Sequence, residues 1–188
     1  MQNNIESLSA TSSAGAGKGI SSGAHEEAAA SGRYSVECRD SNGNVRWSED
    51  ITNLVTIAGK NDALDKYLAG SAYTAAWYVG LIGATGYGAG PAPGDTAGLH
   101  AGWTEDQNYS QGARPTAAWG AASAGSKSLS TAAVFSISQN TTIKGCFLIS
   151  NSAKGGVTGV LYSAGLFAAG DKVIQSGDTL NVSYTASL

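Results

Sequence analysis

Two stretches decide the fold: Leu129-Ser130-Thr131-Ala132-Ala133-Val134-Phe135-Ser136-Ile137, and Thr179-Leu180-Asn181-Val182-Ser183-Tyr184-Thr185-Ala186 near the end of the chain. In the first, Leu129, Ala133, Phe135 and Ile137 fall on one face. In the second, Leu180, Val182 and Tyr184 alternate with polar residues. A period of two with one apolar face is the pattern of a half-buried β-strand. Between them, Thr142–Ile149, Thr158–Tyr162 and Lys172–Ile174 read as further short strands. Asn151, Gly155-Gly156 and Ser176-Gly177-Asp178 punctuate them as turns. Short strands at this spacing predict a mainly β fold, an antiparallel β-sandwich or jelly-roll-like domain.

Working towards the N-terminus, Ala76–Ile82 is a short apolar run that reads as a buried strand. Residues 33–39 and 44–48 alternate on either side of Asp40-Ser41-Asn42-Gly43, whose Asn-Gly pair predicts a tight hairpin turn with positive φ angles. After the hairpin, Asp50 or Thr52 is expected to cap one inserted helix running to about Ala69. Leu54, Ile57, Leu64 and Leu68 fall near one face of it, Gly59 is a candidate break, and Gly70 a terminator. The stretch Gly83–Ser126 is rich in Gly, Pro and Ala, and a loop that long is expected to serve a purpose or to be held by a partner.

Residues 1–32 contain only three sizeable apolar side chains, Ile5, Leu8 and Ile20, among Ser, Ala, Gly and a few charges. Such a segment cannot bury enough surface to offset its ordering entropy, so it reads as an extended, low-complexity N-terminal arm. Residues 33–188 form the β-rich domain. The arm's natural partner is a sister subunit or another protein.

Composition narrows the function. Charged residues are 13% of the 188, the net charge is −3, and Gly, Ala and Ser account for 81 positions. There is no basic surplus for a phosphate backbone, so nucleic acid is not an expected partner. No run approaches the length of a membrane span, and neither a basic n-region nor an apolar h-region of a secretion signal is visible. Synthesis in a cytosol is therefore expected, with Cys38 and Cys146 as buried, reduced thiols.

Several motifs come close to chemistry and fall short of it. Gly120 to Ser128 is one residue away from a phosphate-binding loop, but Ser126 separates Gly125 from Lys127. Asp40-Ser41-Asn42-Gly43-Asn44 offers alternating oxygens like a calcium loop, yet Val45 stands where Gly is needed. The only imidazoles are His25, in the arm, and His100, in a Gly-rich loop where hydrogen bonding is its expected role. Neither meets a serine elbow. Glu49/Asp50 and Glu105/Asp106 could pair for glycosidic cleavage, but nothing in the sequence brings them to one cleft. No catalytic residue, cofactor or metal site is expected. Trp47 and Trp77 read as core, while Trp103 and Trp119 are candidate contact residues.

From Arg33 onward, a set of blocks resembles a segment common in structural proteins of tailed bacteriophages. They are Trp47–Asp65, Trp77–Ile82, His100–Glu105, Tyr109–Pro115, Lys154–Tyr162 and Ser176–Tyr184, in the same order over about 150 residues. The resemblance does not reach the arm, and it carries no active site. It implies a virion structural protein, most of all a capsid decoration or cement protein on the outer head surface, with the major capsid protein and further copies of itself, as a dimer or trimer, as partners. The alternative is a tail-fibre or adhesin module that contacts host glycans through Trp103, Trp119 and the Gly83–Ser126 loop. The contact residues expected on the first reading are Ile5, Leu8 and Ile20, with Trp103 and Trp119 beside them.

Overall fold

The structure is a computed structural model that describes residues 30–68 and 76–187. Two antiparallel sheets pack face to face as a β-sandwich. The first contains β1 (Ser31–Arg39), β2 (Val45–Thr52), β6 (Ser126–Ser128), β7 (Ala133–Ser136) and β11 (Thr179–Ser187). Its order is β2-β1-β11, with β6 and β7 sharing the far side of β11. The second contains β3 (Leu54–Val55), β4 (Tyr78–Gly83), β5 (Thr104–Asp106), β8 (Thr141–Ile149), β9 (Leu161–Leu166) and β10 (Lys172–Ile174). Its order is β3-β9-β8-β4-β5, with β10 also on β8.

Between the sheets lie the side chains that the alternation singled out. Tyr34, Val36, Cys38, Phe135, Leu180, Val182 and Tyr184 come from the first sheet, and Val79, Leu81, Ile143, Cys146 and Leu148 from the second. Both cysteines are free and buried. Burial pushes the Cys38 thiol up to about 12, helped by the carboxylate of Asp178. The Cys146 thiol is raised further by burial alone. Leu129 and Ile137 are buried too, although only Ala133–Ser136 of that stretch forms a strand.

The second sheet is covered on both faces, which is why Gly145 to Ile149 are buried without alternation. On its outer face Ile82, Phe147, Ile149, Leu161 and Ala164 meet Ala97 and Trp103. The long Gly83–Ser126 stretch is thus held by its own sheet: Trp103 packs 5.4 Å from Phe147, and its indole N–H donates to Asp95 Oδ2 at 2.8 Å. The same stretch contributes β5.

Three local expectations need correction. The hairpin turn places only Gly43 at positive φ (84°), and Asn42 is not left-handed. Asp40 accepts from the backbone N–H groups of Asn42 and Asn44, both at 2.9 Å, and a bulge follows where Arg39 pairs with Val45. The carboxylate oxygens of Asp40 are therefore turned into their own turn. Second, the segment Glu49–Thr52 is strand: Asp50 pairs with Ser35 and Thr52 with Arg33. The helix α1 (Ile57–Leu68) is capped by Thr56, whose Oγ1 accepts from Gly59 N–H at 3.0 Å. Gly59 does not break α1. It lies against the backbone of Tyr162, where a Cβ would not fit. Gly70 and Ala69 lie outside the described residues. Third, the strand expected at Thr158–Tyr162 is displaced to Leu161–Leu166, after a turn with Gly159 at φ 94°.

The hairpin yields a pH prediction. Hydrogen bonds from Asn44 N–H, the Asn44 side-chain amide and Asn42 N–H hold the Asp40 carboxyl below its usual range. A depressed carboxylate adds stability above the unfolded value of about 3.9 and loses it as pH falls through the folded value. Asp40→Asn is therefore expected to flatten the acid limb: wild type loses more Tm than the variant between about pH 5 and pH 2. Parallel melting curves check this.

Candidate functional site

A well-formed cleft, about 230 Å³, opens on the outer face of the second sheet. Its floor is Phe147, Ile149 and Leu161, and its walls are Ala97, His100, Trp103, Glu105, Arg114 and the Gly155–Val157 turn. Glu105 is presented by β5, which pairs with β4, and Arg114 comes from the loop that follows. Both side chains are withdrawn from water, at 2% and 5% exposure for Arg114 and Glu105. The guanidinium grips the carboxylate with two bonds, Nε to Oε1 and a terminal N–H to Oε2, each 2.8 Å. Arg114 also donates to the carbonyls of Asn151 (2.8 Å) and Gly156 (3.2 Å) and lies over the Phe147 ring.

Glu105 accepts in addition from Gly155 N–H and from Tyr109 Oη. Burial and the Glu105 charge raise the Tyr109 phenol well above its ordinary value. Lys154 closes the same knot from the other side, donating to the carbonyls of Tyr109 (2.7 Å) and Gln111 (2.9 Å) above the Tyr109 ring. Both oxygens of Glu105 are therefore occupied by donors from two loops. Asp106, its neighbour, is likewise engaged by Asn108 and Thr141.

His100 does hydrogen-bond in its loop: Nδ1 lies 2.9 Å from the Trp103 carbonyl, so Nδ1 carries the proton of that bond. Its ring stacks on the Trp103 indole at 4.0 Å. One face of the indole is thus already covered, and Trp103 is 3% exposed. Trp119 is half-buried and sits edge-on to Tyr184. Trp47 and Trp77 pack against the main core as expected. Ile5, Leu8, Ile20 and His25 lie outside the described residues.

The near-phosphate loop is a hairpin tip with Ala124 (φ 49°) and Gly125 (φ 72°) in the turn, and Lys127 Nζ donates to the Gly120 carbonyl at 2.8 Å. Glu49 and Asp50 point to opposite sides of β2. Glu49 is paired with Lys172 at 2.6 Å, and Asp50 with Arg33 at 3.2 Å. Among the described residues, no group of three His, Cys, Asp or Glu side chains converges as a metal would require, and no helix is long and apolar enough to cross a membrane.

Two other surfaces stand out. The outer face of the first sheet is a shallow trough of about 440 Å³ lined by Ser35, Glu37, Ser48, Asp50, Asn181 and Ser183. Strand register aligns these in rows, Asp50–Ser35–Ser183 and Ser48–Glu37–Asn181. The second surface is α1, whose outward side carries Ile57, Leu64, Tyr67 and Leu68, all more than half exposed. The sequence pattern for both was visible as alternation and as a helical stripe. Arg114 was missed as a site residue, and its only signal was a lone cation in the Gln111-Gly112-Ala113-Arg114-Pro115 stretch.

No protein-family model and no curated protein matches this chain.

Proposed function

We propose that this chain is a non-enzymatic virion structural protein that decorates a bacteriophage head, lying on the outer shell and stabilising it. The observation that carries the reading is the outer face of the first sheet. Ser35, Ser48, Asn181 and Ser183 are short, one carboxylate (Asp50 or Glu37) completes each row, the rows run across three paired strands, and the face is open. A broad, mostly short-chained polar face lets backbone approach a broad, repeated surface closely, and many copies add avidity to a weak single contact. The family resemblance from Arg33 onward supports the same reading. The saturated Glu105–Arg114 pair favours contact over chemistry in the cleft. The covered face of Trp103 leaves less for a sugar ring to stack on, which weighs against the adhesin alternative.

Co-sedimentation of the full chain with expanded, undecorated heads and separately with isolated tails tests this. Saturable binding to heads in many copies is the expected result. Ser35→Arg with Ser183→Arg, on the outer face, should weaken it at least ~10-fold while leaving the melting curve in place. Binding to tails alone, in few copies, would replace the decoration reading with the adhesin one.

A further inference from the structure

The helix α1 turns its apolar stripe to solvent. Its apolar stripe, Ile57, Leu64 and Leu68, recurs at the spacing of one helical face. An amphipathic helix on a sandwich ordinarily buries that stripe. Here the inward face is made of Ala58, Gly59 and the Asp62–Lys66 ion pair (3.4 Å), while Ile57, Leu64 and Leu68 are 54%, 55% and 73% exposed and Tyr67 beside them 85%. The orientation is fixed from inside. Gly59 abuts the Tyr162 backbone, Thr56 bonds the carbonyls of Leu161 and Tyr162, and Ile57 N–H donates to Pro93.

The stripe does not end with the helix. The Pro93 bond joins α1 to the 91–99 loop, and Gly98 of that loop abuts the Val157 carbonyl. Leu99 and Val157 are 72% and 63% exposed. Six of the nine large exposed apolar side chains among the described residues thus come from α1 and the two loops linked to its start. On α1 alone, Ile57, Leu64, Tyr67 and Leu68 are each more than half exposed, and an exposed apolar face of that kind marks an interaction surface.

We propose that this surface is a two-fold interface between two copies of the chain, with α1 packed antiparallel against α1 of the second copy. Two features favour a second copy over another occupant. The patch is centred on one short helix, and an isologous contact sets an equally apolar face against it without needing a second surface. The charge is also self-compatible. Asp62 and Lys66 form a pair on the inward side, and Lys60 and Asp65 leave the outward face with no net charge, so two copies meet without like-charge repulsion. Antiparallel pairing sets the Ile57 end of one stripe against the Leu68 end of the other, with Leu64 near the axis. The inference is separate from the proposed head binding. It is read in the absence of heads, so it can fail while head binding stands.

Sedimentation velocity of the full chain across micromolar concentrations is the test. Wild type is expected to be dimeric, and Leu64→Asp with Leu68→Asp to raise the dimer dissociation constant by ~100-fold or more with an unchanged melting curve, since both side chains point to water. Leu64→Cys gives an independent readout, because Cys38 and Cys146 are buried and the new thiol would be the accessible one. Mild oxidation should yield a covalent dimer, and Val45→Cys, exposed on the distant hairpin, should not. A monomeric wild type overturns the proposal. So does association that survives the aspartates, or a Leu64→Asp protein that loses head binding while wild type is monomeric.

Discussion

Replacing Arg114 with methionine is expected to cost roughly 3–5 kcal/mol of stability, because it leaves a buried carboxylate without its counter-charge. Glu105 is 5% exposed and receives two bonds from the guanidinium. Methionine fills much of the volume but offers no donor, so the carboxylate must be protonated, hydrated or expelled. The loops at 107–115 and 151–157 are also joined through Arg114, by its bonds to Asn151 and Gly156. Glu105→Gln is expected to be milder, since the amide oxygen still accepts from Arg114. The double variant Glu105→Leu/Arg114→Met should recover a large part of the loss, as removing a buried pair costs less than breaking it. Urea unfolding with an unchanged slope reads all three. Near-equal stability of Arg114→Met and wild type would mean that the pair is hydrated in solution and not the lock described above.

The other large effect belongs to a glycine. Gly145→Ala is expected to destabilise by more than about 3 kcal/mol, beyond the usual range for one added methyl group. In β8 a Cβ at Gly145 would run into the carbonyl oxygen of Gly165 on β9. That neighbour is backbone, so no rotamer change relieves it, and β8 is pinned on its other side by β4. Gly165 cannot retreat either, since it already lies close to Ile51, Thr52 and Asn53, where the chain leaves the first sheet for the second. Gly88→Ala is the matched control: no atom lies within 4 Å of its Cβ position, and its effect should stay within about 0.5 kcal/mol. Thermal melts of the two variants decide the matter. Similar values for both would show that β8 and β9 can separate cheaply.

These two sites mark where the sequence was legible and where it was not. Alternation at Leu180, Val182 and Tyr184 names core residues directly, because period two has one physical cause in a half-buried strand. The same rule fails at β9. Ser163, Ala164 and Gly165 are consecutive buried residues; Gly165 records close approach of the neighbouring backbone, while Ser163 is polar inside because its hydroxyl bonds the Tyr34 and Tyr184 phenols. The start of α1 was misjudged because Asp50 and Thr52 are good caps in isolation, but pairing with Ser35 and Arg33 claims them for β2 first. The cleft was hidden for a different reason. Glu105, on the three-residue β5, and Arg114, in the loop after it, stand nine residues apart without periodicity, and their partners Asn151, Gly155 and Gly156 come from a distant turn. Contacts of that kind are set by tertiary closure and leave little trace in local pattern.

The placement of β1 has a mechanical consequence. Every residue from Ser31 to Arg39 is matched on β11, and Arg33 to Arg39 are flanked on the other side by β2. Tension entering through the residues before Ser31, and resisted by the body of the sandwich, runs along the strand axis. It loads two hydrogen-bonded ladders in shear, where many bonds share the force, instead of peeling them one at a time. Ser31 also sits opposite Ser187, so force applied between the two ends of the domain would open β1 from β11 like a zipper. The junction is thus strong towards tension carried along β1 from the residues before it, and weak towards separation of Ser31 from Ser187.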